Sequence, residues 1–282
     1  MKLDFHTHVF PPAFRADRAR YCSGEPGFAE LYDSPKARLA GVEDLISHMD
    51  AVEVDRSVIF GFPWHNGETV RRHNDYMMDA VQRYPGRLTG FCCFSPTLEE
   101  ASKETERCLK SGCRGVGELA VYGDGWTVEV VDALEEVMAI ALDFEVPVLL
   151  HTNEPVGHPY PGKTPMTLGQ IYHLVRKYPL NRIVLAHWGG GLPFYELMKR
   201  DVKEALKNVW FDTAASPYLY DPRIYRVVGT IAGFDKILFG SDFPLLSPSR
   251  YFKEMEEAGL STRERVQVSG ENAARLLNLM TW

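Results

Sequence analysis

Short runs of apolar residues alternate with longer amphipathic stretches along the whole chain. Eight of these runs are apolar almost without interruption, which is typical of parallel strands that are covered on both faces. Each run therefore predicts one strand. The eight runs are KLDFHTHV (2–9), RSVIFGF (56–62), LTGFCCF (88–94), GVGELAV (115–121), VPVLLHT (146–152), RIVLAHW (182–188), VWFDTAA (209–215) and KILFGSD (236–242).

Helical periodicity fills the gaps between these runs, and strands that alternate with helices are typical of repeated βα units. Eight such units in 282 residues fit a (β/α)8 TIM barrel, which typically needs about 250 residues. An open doubly wound α/β sheet is the alternative, but no glycine-rich phosphate-binding turn follows an early strand. We predict a single barrel domain over residues 1–282. The predicted helices are 68–84, 127–144, 167–178, 194–206, 221–231, 249–258 and 272–279.

One segment interrupts the alternation of strands and helices. Residues 10–40 separate the first strand from the next helix and contain four prolines and mixed charge. Prolines and mixed charge are typical of connecting segments. We predict a long loop here that lies over the mouth of the barrel.

The first strand ends in DFHTH, where His6 and His8 flank one threonine. Side chains along a strand alternate between its two faces, so both imidazoles are predicted to point to one face. Leu3 and Phe5 are predicted to point to the opposite face. Two imidazoles on one face can reach a single metal ion.

Later strands also end in polar residues that interrupt an apolar run. Glu118 lies late in the fourth strand, and His151, His187 and Asp242 end the fifth, sixth and eighth strands. The carboxyl ends of barrel strands meet at one face, where active sites of this fold lie. A single buried histidine is more simply a hydrogen-bonded core residue, but six polar groups at equivalent positions favour a shared partner. Four imidazoles and two carboxylates suit a divalent metal, zinc first and manganese second.

The amino-acid composition limits the classes of binding partner and the cellular compartment that we expect. The formal net charge is −7, and the chain contains no run of more than two Lys or Arg residues, which argues against a nucleic-acid partner. Five cysteines without a Cys-x-x-Cys pair favour a reducing cytoplasm. We see no secretory signal and no apolar run near the ~18 residues that span a membrane. We expect a small-molecule substrate and no membrane partner, and a homo-oligomer is compatible with the fold.

Four motifs resemble those of the amidohydrolase superfamily, and specifically its amidohydrolase-2 branch. The resemblance covers essentially the whole length, and it implies a metal-dependent barrel in which His6, His8, His151 and Asp242 ligate the metal. In many relatives of this branch the site holds one metal. The sixth-strand histidine, here His187, then contacts the metal ligands without binding the metal, or acts in catalysis. The motifs are DFHTHVFPP (4–12), HWGGG (187–191), FGSDFP (239–244) and ENAARLL (271–277).

The surroundings of Glu118 differ from that branch. The stretch GVGELAVYG (115–123) is more similar to the motif around the bridging glutamate of TatD-type metal hydrolases in the same superfamily. A bridging Glu118 implies two ions, which we favour over one. The alternative is a carboxylate that holds a histidine or a substrate amine. The two ligand sets would be His6, His8, Glu118 and Asp242 for one ion, and Glu118, His151 and His187 for the other.

These features predict a metal-dependent hydrolase that acts on a small-molecule ester, lactone, amide or phosphoester. A metal-activated hydroxide would attack, Asp242 would shuttle the proton, and His187 would ligate the second ion or stabilise the oxyanion. The alternative is a one-metal, non-oxidative decarboxylase of a carboxylated aromatic or related acid, in which Asp242 or His187 protonates carbon before CO2 leaves. The first-strand histidines serve both reactions, and Glu118 favours hydrolysis. A third reading is a non-catalytic metal-binding protein.

The loops after the strands are expected to contact the substrate, because binding groups in barrel enzymes come from these loops. The long fifth loop offers Asn153, His158 and Lys163, and Lys163 is suited to an anionic substrate. Tyr122 follows the fourth strand and Trp188 follows the sixth. These aromatic residues either stack on a planar substrate or pack within the protein, and Lys163 either meets the substrate or is a solvated surface residue.

Overall fold

The computed structural model describes residues 1–198 and 200–279 of the chain. Within these residues eight strands are present, and each lies inside one of the predicted apolar runs. All of the strand predictions are therefore confirmed, although the strands are shorter than the runs. The strands are β1 (Leu3–His8), β2 (Arg56–Phe60), β3 (Leu88–Gly90), β4 (Val116–Leu119), β5 (Val148–Leu150), β6 (Ile183–Leu185), β7 (Val209–Asp212) and β8 (Ile237–Leu238).

The strands form a closed parallel barrel. Strands β1 to β3 pair in order, and strands β4 to β8 pair in order. The two sheets meet where the amide of Cys92 donates to the carbonyl of Gly115 at 3.1 Å. They meet again where the amide of Phe5 donates to the carbonyl of Phe239 at 2.8 Å. The predicted (β/α)8 barrel is thus confirmed.

Helices follow the strands, and several begin at the capping residues that the sequence offers. The side chain of Asn66 accepts from the amide of Thr69 at 3.0 Å, and Thr167 and Gln170 form a capping box. No helix of the described residues is long and apolar enough to cross a membrane. The α-helices are α1 (Pro12–Ala16), α2 (Arg18–Cys22), α3 (Pro26–Tyr32), α4 (Val42–Ala51), α5 (Gly67–Arg83), α6 (Ala101–Lys110), α7 (Val128–Ala133), α8 (Glu135–Asp143), α9 (Leu168–Lys177), α10 (Arg200–Ala205), α11 (Ser216–Leu219), α12 (Ile224–Ile231), α13 (Pro248–Glu257), α14 (Thr262–Val266) and α15 (Asn272–Leu276).

Two predicted helices differ from the observed ones. The stretch 127–144 forms two helices, α7 and α8, that meet at Leu134. The stretch 194–206 contains the end of a 3-10 segment, His187–Leu197, followed by α10. That segment begins with left-handed backbone angles from Trp188 to Gly191 and continues as a 3-10 helix to Leu197, so the α-helix of this stretch begins only at Arg200.

Residues 10–40 form three short helices, α1 to α3, where the sequence predicts a loop. The buried carboxylate of Glu25 fixes this segment to the turn after β2, because it accepts from the amides of His65 at 2.9 Å and Asn66 at 3.0 Å. Leu31 and Tyr32 at the end of α3 line the large cavity at the carboxyl end of the barrel. This segment therefore forms part of the cavity wall.

The interior of the barrel is a separate apolar cluster. It contains side chains from most of the strands, and residues of α15 also belong to it. A second, larger cluster fills the space between the strands and the surrounding helices. The interior cluster is Leu3, Phe5, Val58, Phe60, Phe91, Cys93, Leu149, Val184, Ala186, Leu238, Ala273, Leu276 and Leu277.

We expect Leu149→Ala to lower the free energy of unfolding by about 2–5 kcal/mol, because Leu149 is fully buried in the interior cluster and its loss leaves a cavity. Leu180→Ala is the matched control, since Leu180 is 68% exposed, and it should change stability by less than about 0.5 kcal/mol. Urea unfolding of the metal-free protein measures both values. Equal effects of the two substitutions would contradict the assignment of the interior core.

Candidate metal centre

Six side chains that can donate to a metal meet at the carboxyl ends of the strands. We call these six residues the donor cluster. They reach one place because the carboxyl ends of all eight parallel strands lie at the same end of the barrel. Four of them are at least 90% buried, and five line a cavity of about 500 Å³. The donor cluster is His6 and His8 on β1, Glu118 on β4, and His151, His187 and Asp242 in the turns after β5, β6 and β8.

One half of the donor cluster has the spacing of a metal site. The Nε2 atoms of His6 and His8 lie 3.2 Å apart, and Oε2 of Glu118 lies 3.5 Å from each of them. Oδ1 of Asp242 lies 3.6 Å from His6 and 3.5 Å from His8. Ligands that bind a tetrahedral ion at ~2.1 Å are about 3.4 Å apart. His6, His8 and Glu118 therefore fit a divalent metal, and Asp242 lies within similar reach of both imidazoles.

The other half faces the second oxygen of the same carboxylate. Oε1 of Glu118 lies 3.0 Å from Nδ1 of His151 and 3.7 Å from Nε2 of His187. Nε2 of His151 is buried and has no hydrogen-bond partner in the described part of the chain. An unpartnered buried nitrogen is costly unless a ligand satisfies it. The second half can therefore also contribute donors to a metal.

The charges in the donor cluster depend on one another. Burial lowers the pKa of His6, but the carboxylates of Asp212 and Glu118 hold it well above its ordinary value. Burial raises the pKa of Glu118, but the facing imidazole of His6 helps to hold it well below its ordinary value. Burial lowers the pKa of His187, but the nearby carboxylates of Glu118 and Asp242 raise it to about 9. A divalent cation would replace the protons that balance these carboxylates.

A break in the pairing of β1 changes the faces predicted for its side chains. The register between β1 and β2 shifts in the middle of β1. As a result the ring of Phe60, which packs in the interior cluster with Leu3 and Phe5, also lies 5.0 Å from the ring of His6 and 4.7 Å from that of His8. The prediction that Leu3 and Phe5 point to the opposite face is wrong, because a bulge interrupts the alternation.

Asp212, which the sequence analysis missed, orients two members of the donor cluster. Its Oδ2 lies 2.8 Å from Nδ1 of His6, and its Oδ1 accepts from the amides of His187 and Ala214, each at 3.0 Å. A carboxylate on one ring nitrogen leaves the other nitrogen available to a metal. The sequence offered a pattern that could have found it, since the seventh apolar run, VWFDTAA (209–215), is also interrupted by an acidic residue, Asp212.

Two glycines let neighbouring strands approach each other at the donor cluster. Gly117 precedes Glu118 and has a φ of +123°, and a Cβ there would lie 2.2 Å from the carbonyl oxygen of Leu149. A Cβ on Gly240 would lie 2.7 Å from Cβ of His6. Any other residue at either position would displace a donor.

Aromatic rings form the walls of the cavity above the donor cluster. The rings of Phe62 and Tyr122 are stacked, with centroids 5.5 Å apart and an interplanar angle of 1°. Phe62 is almost completely buried and Tyr122 is partly exposed, so Tyr122 presents the ring that a planar ligand would meet. The remaining lining residues are Leu31, Tyr32, Lys36, Ala37, Arg38, Tyr160, Pro161, Gly162, Ala215, Tyr218, Leu219, Pro244 and Leu245.

Of the five residues predicted to contact substrate, the structure places Tyr122 in the cavity wall and two of the others inside the protein. Trp188 is fully buried, and its indole nitrogen donates to the hydroxyl of Ser216 at 3.0 Å. The side chain of Asn153 is also buried, and it accepts from the amide of Thr164 at 3.0 Å. Both side chains hold turns together, and neither lines the cavity.

The other two predicted contacts lie on the outer part of the fifth loop. Lys163 forms an ion pair with Glu154 at 2.7 Å, which occupies the charge that was expected to meet an anionic substrate. His158 is exposed to solvent and does not line the cavity. Neither side chain reaches the donor cluster, because the loop closes on itself through the pair of Lys163 and Glu154.

The chain is similar to curated decarboxylases over most of its length. It is 25% identical over 290 residues to the gamma-resorcylate decarboxylase of Polaromonas sp., and this match covers 85% of the chain and 84% of that protein. It is also 25% identical over 283 residues to the 6-methylsalicylic acid decarboxylase of Penicillium expansum, with 86% and 85% covered.

Solved structures of decarboxylases share the fold. The 5-carboxyvanillate decarboxylase of Sphingomonas paucimobilis has a TM-score of 0.77 at 18% identity, with 98% of each chain covered. The dihydroxybenzoic acid decarboxylase of Polaromonas sp., with bound manganese and the inhibitor 2-nitroresorcinol, has a TM-score of 0.72 at 22% identity, with 99% and 97% covered. At these identities the likeness establishes the barrel fold.

These relatives overturn the prediction of a hydrolase, because they are decarboxylases of aromatic acids. The prediction failed because the strand-end donors serve both reactions, and Glu118 alone was used to choose between them. A divalent metal is supported by the manganese of the structural relatives and by the donor groups of this chain. Zinc, two ions and the TatD-like role of residues 115–123 stay predictions.

The family comparison covers almost the whole chain. The sequence profile of the family described as amidohydrolase matches residues 3–279, which include all eight strands and all six members of the donor cluster. This match agrees with the resemblance of the four motifs in the sequence. The chain therefore belongs to the amidohydrolase family.

Proposed function

We propose that this protein is a metal-dependent, non-oxidative decarboxylase of hydroxybenzoic acids. One observation carries the proposal: the cavity has the donor cluster at its base and the aromatic rings of Tyr122 and Phe62 in its wall. This combination suits an aromatic ring that bears a carboxylate. The similarity to two curated decarboxylases of such acids over about 85% of the chain supports the same reaction.

The proposed metal ligands follow from the distances. His6, His8, Asp242 and Oε2 of Glu118 would hold one divalent ion, with manganese favoured by the structural relatives. When bound, the ion supplies positive charge that holds and neutralises the carboxylate of the acid. His151 faces the other oxygen of Glu118, so a second ion that shares this carboxylate stays a prediction.

The side chains of the cavity would orient the ring. The ring of Tyr122, backed by the parallel ring of Phe62, provides an apolar face, and Tyr32 packs 4.8 Å from the ring of Phe28. A ring held against this wall excludes water from the reacting carbon, which disfavours hydrolytic side reactions. The carboxylate would then point to the donor cluster at the base of the cavity.

Two acids are placed to deliver the proton that the reaction needs. Decarboxylation breaks the bond between the ring carbon and the carboxylate, releases CO2 and adds a proton to the same carbon. His187 is held by its Nδ1, which donates to the carbonyl of Ala214 at 2.9 Å, so its Nε2 faces Glu118 and the cavity. We propose Asp242 and His187 as the groups that hold this proton.

We expect the manganese-loaded protein to release CO2 from at least one of 2,6-dihydroxybenzoate, 6-methylsalicylate and 5-carboxyvanillate. In D2O the product should carry one deuterium at the ring carbon that lost the carboxylate, because the proton comes from an exchangeable side chain. Headspace mass spectrometry measures CO2, and NMR locates the deuterium.

A chelator should abolish this activity, and added manganese should restore it. Aryl esters and lactones of similar size are the matched control for hydrolysis and should not turn over. Metal-dependent hydrolysis of these controls, without CO2 from any of the three acids, would contradict the proposal.

We expect Glu118→Gln to lower metal affinity by about 10- to 100-fold, because the substitution removes the charge that faces both halves of the donor cluster. Elemental analysis of the purified proteins gives the number of ions per chain in wild type and variant. Glu100→Gln is the control, since this glutamate is 67% exposed and forms an ion pair at the start of α6, outside the donor cluster. Unchanged metal content and metal affinity in the Glu118→Gln variant would exclude Glu118 as a metal ligand.

A further inference from the structure

The turn that carries Asp242 has a backbone conformation that needs support. Asp242 has a φ of 59°, a left-handed conformation that a residue other than glycine keeps only when the surrounding structure holds it. In the neighbouring turn after β7, Ala215 has a φ of 56° and lines the cavity. The two turns lie side by side because β7 and β8 are paired. The contacts that hold these turns therefore decide where the carboxylate of Asp242 points.

One buried hydroxyl group joins both turns. The hydroxyl of Tyr251 on α13 donates to the carbonyl of Ser241 at 2.6 Å and accepts from the amide of Ala215 at 3.1 Å. The side chain of Tyr251 is fully buried, so bulk water does not compete for these hydrogen bonds. Tyr251 is neither a member of the donor cluster nor one of the described residues that line the cavity. It can act on the site only through the backbone of the two turns.

The peptide group between Ser241 and Asp242 is held at both ends. Its carbonyl accepts from the hydroxyl of Tyr251, and its amide donates to the carbonyl of His6 at 3.0 Å. The φ angle of Asp242 depends on the orientation of this peptide group, because φ is the rotation about the bond that follows the amide nitrogen. Tyr251 and His6 therefore fix the conformation of Asp242 together.

The preceding peptide group is held by the carboxylate of Asp4. The amide of Ser241 donates to Oδ1 of Asp4 at 2.8 Å, and the amide of His6 donates to the same atom at 3.2 Å. Asp4 is almost completely buried, and its carboxylate joins β1 to the turn after β8 where the register of β1 shifts. With Asp4 on one side and Tyr251 on the other, Ser241 has little freedom to move.

We propose that Tyr251 is a positioning residue that keeps Asp242 in the conformation in which its carboxylate reaches the metal. This inference rests on the proposed function, in which Asp242 is a metal ligand. Without the hydroxyl of Tyr251, the carbonyl of Ser241 loses its donor, and the peptide group can rotate so that the left-handed φ of Asp242 relaxes. Metal affinity then falls although every ligand is still present.

The test is a double-mutant cycle in metal affinity. Calorimetry measures the binding of manganese to the metal-free wild type, to Tyr251→Phe, to Asp242→Asn and to the double variant. Phenylalanine keeps the buried ring and lacks only the hydroxyl group.

Tyr178→Phe is the matched control. Tyr178 is also buried, and its hydroxyl donates to the carbonyl of Val131 at 2.5 Å, where the end of α9 meets α7. Both substitutions remove one buried hydroxyl that donates to a backbone carbonyl, so both should lower the unfolding temperature of the metal-free protein by a few degrees. A similar decrease in the two variants establishes that Tyr251→Phe is folded.

We expect Tyr251→Phe to weaken manganese binding by about tenfold and Tyr178→Phe to leave it unchanged. In the Asp242→Asn background, Tyr251→Phe should have little further effect, because the carboxylate that it positions is already gone. The visible absorption of the cobalt-loaded protein gives a second measurement, since it depends on the arrangement of the ligands. It should change in Tyr251→Phe and stay the same in Tyr178→Phe.

Two results would overturn the inference: an unchanged manganese affinity in Tyr251→Phe, or an equal loss of affinity with and without the carboxylate of Asp242, which would indicate only a general loosening of the barrel. Turnover separates this inference from the proposed function. If the cycle shows the coupling while no hydroxybenzoate releases CO2, the reaction fails and the positioning role stands. If hydroxybenzoates release CO2 while Tyr251→Phe keeps the metal affinity of the wild type, the positioning role alone fails. A wild type that binds no manganese would contradict both.

Discussion

This structure depends on one constraint: charged groups that are buried away from water need partners of opposite charge. Four imidazoles and two carboxylates meet at the carboxyl end of the barrel, and His6 and Glu118 are almost completely buried there. Buried charges of this kind are stable only when each has a partner of opposite sign. Without a metal, protons on the imidazoles balance the carboxylates. A divalent ion provides the same balance at neutral pH with deprotonated imidazoles, and it leaves positive charge available to an acid.

The surrounding barrel supports this arrangement. Asp212 on β7 fixes the ring of His6, and the glycines at 117 and 240 allow the strands to approach closely enough for the donors to meet. The strands supply the positions of the donors, whereas the segment 10–40 and the strand-end turns supply the cavity above them. The rigid strands therefore hold the donor groups in place, and the connecting segments shape the cavity that receives the ligand.

The sequence predicted the parts of the structure that depend on local pattern. The eight strands follow from nearly continuous apolar runs, and the donor cluster follows from apolar runs that end in a polar residue. Asp212 shows the same signal and was missed. The bulge in β1 could not be predicted, because it depends on how β1 pairs with a strand about 50 residues away.

The loops were harder to predict because their direction depends on backbone angles that the sequence does not show directly. His187 and Trp188 follow β6 with φ values of 55° and 60°, and this turn points the imidazole into the cavity and buries the indole. Tyr122 reaches the cavity, but Trp188 does not. The reaction could not be chosen from the donors alone, since one donor set serves hydrolysis and decarboxylation on the same fold.

We propose that the donor cluster holds a divalent ion directly below an aromatic site. A crystal structure of the manganese-loaded protein with 2-nitroresorcinol, with anomalous data at the manganese edge, tests it most directly. We predict an anomalous peak within about 2.3 Å of donor atoms from His6, His8 and Asp242, with the ring against Phe62 and Tyr122. A peak outside the donor cluster, or a ring bound away from this wall, would contradict the account.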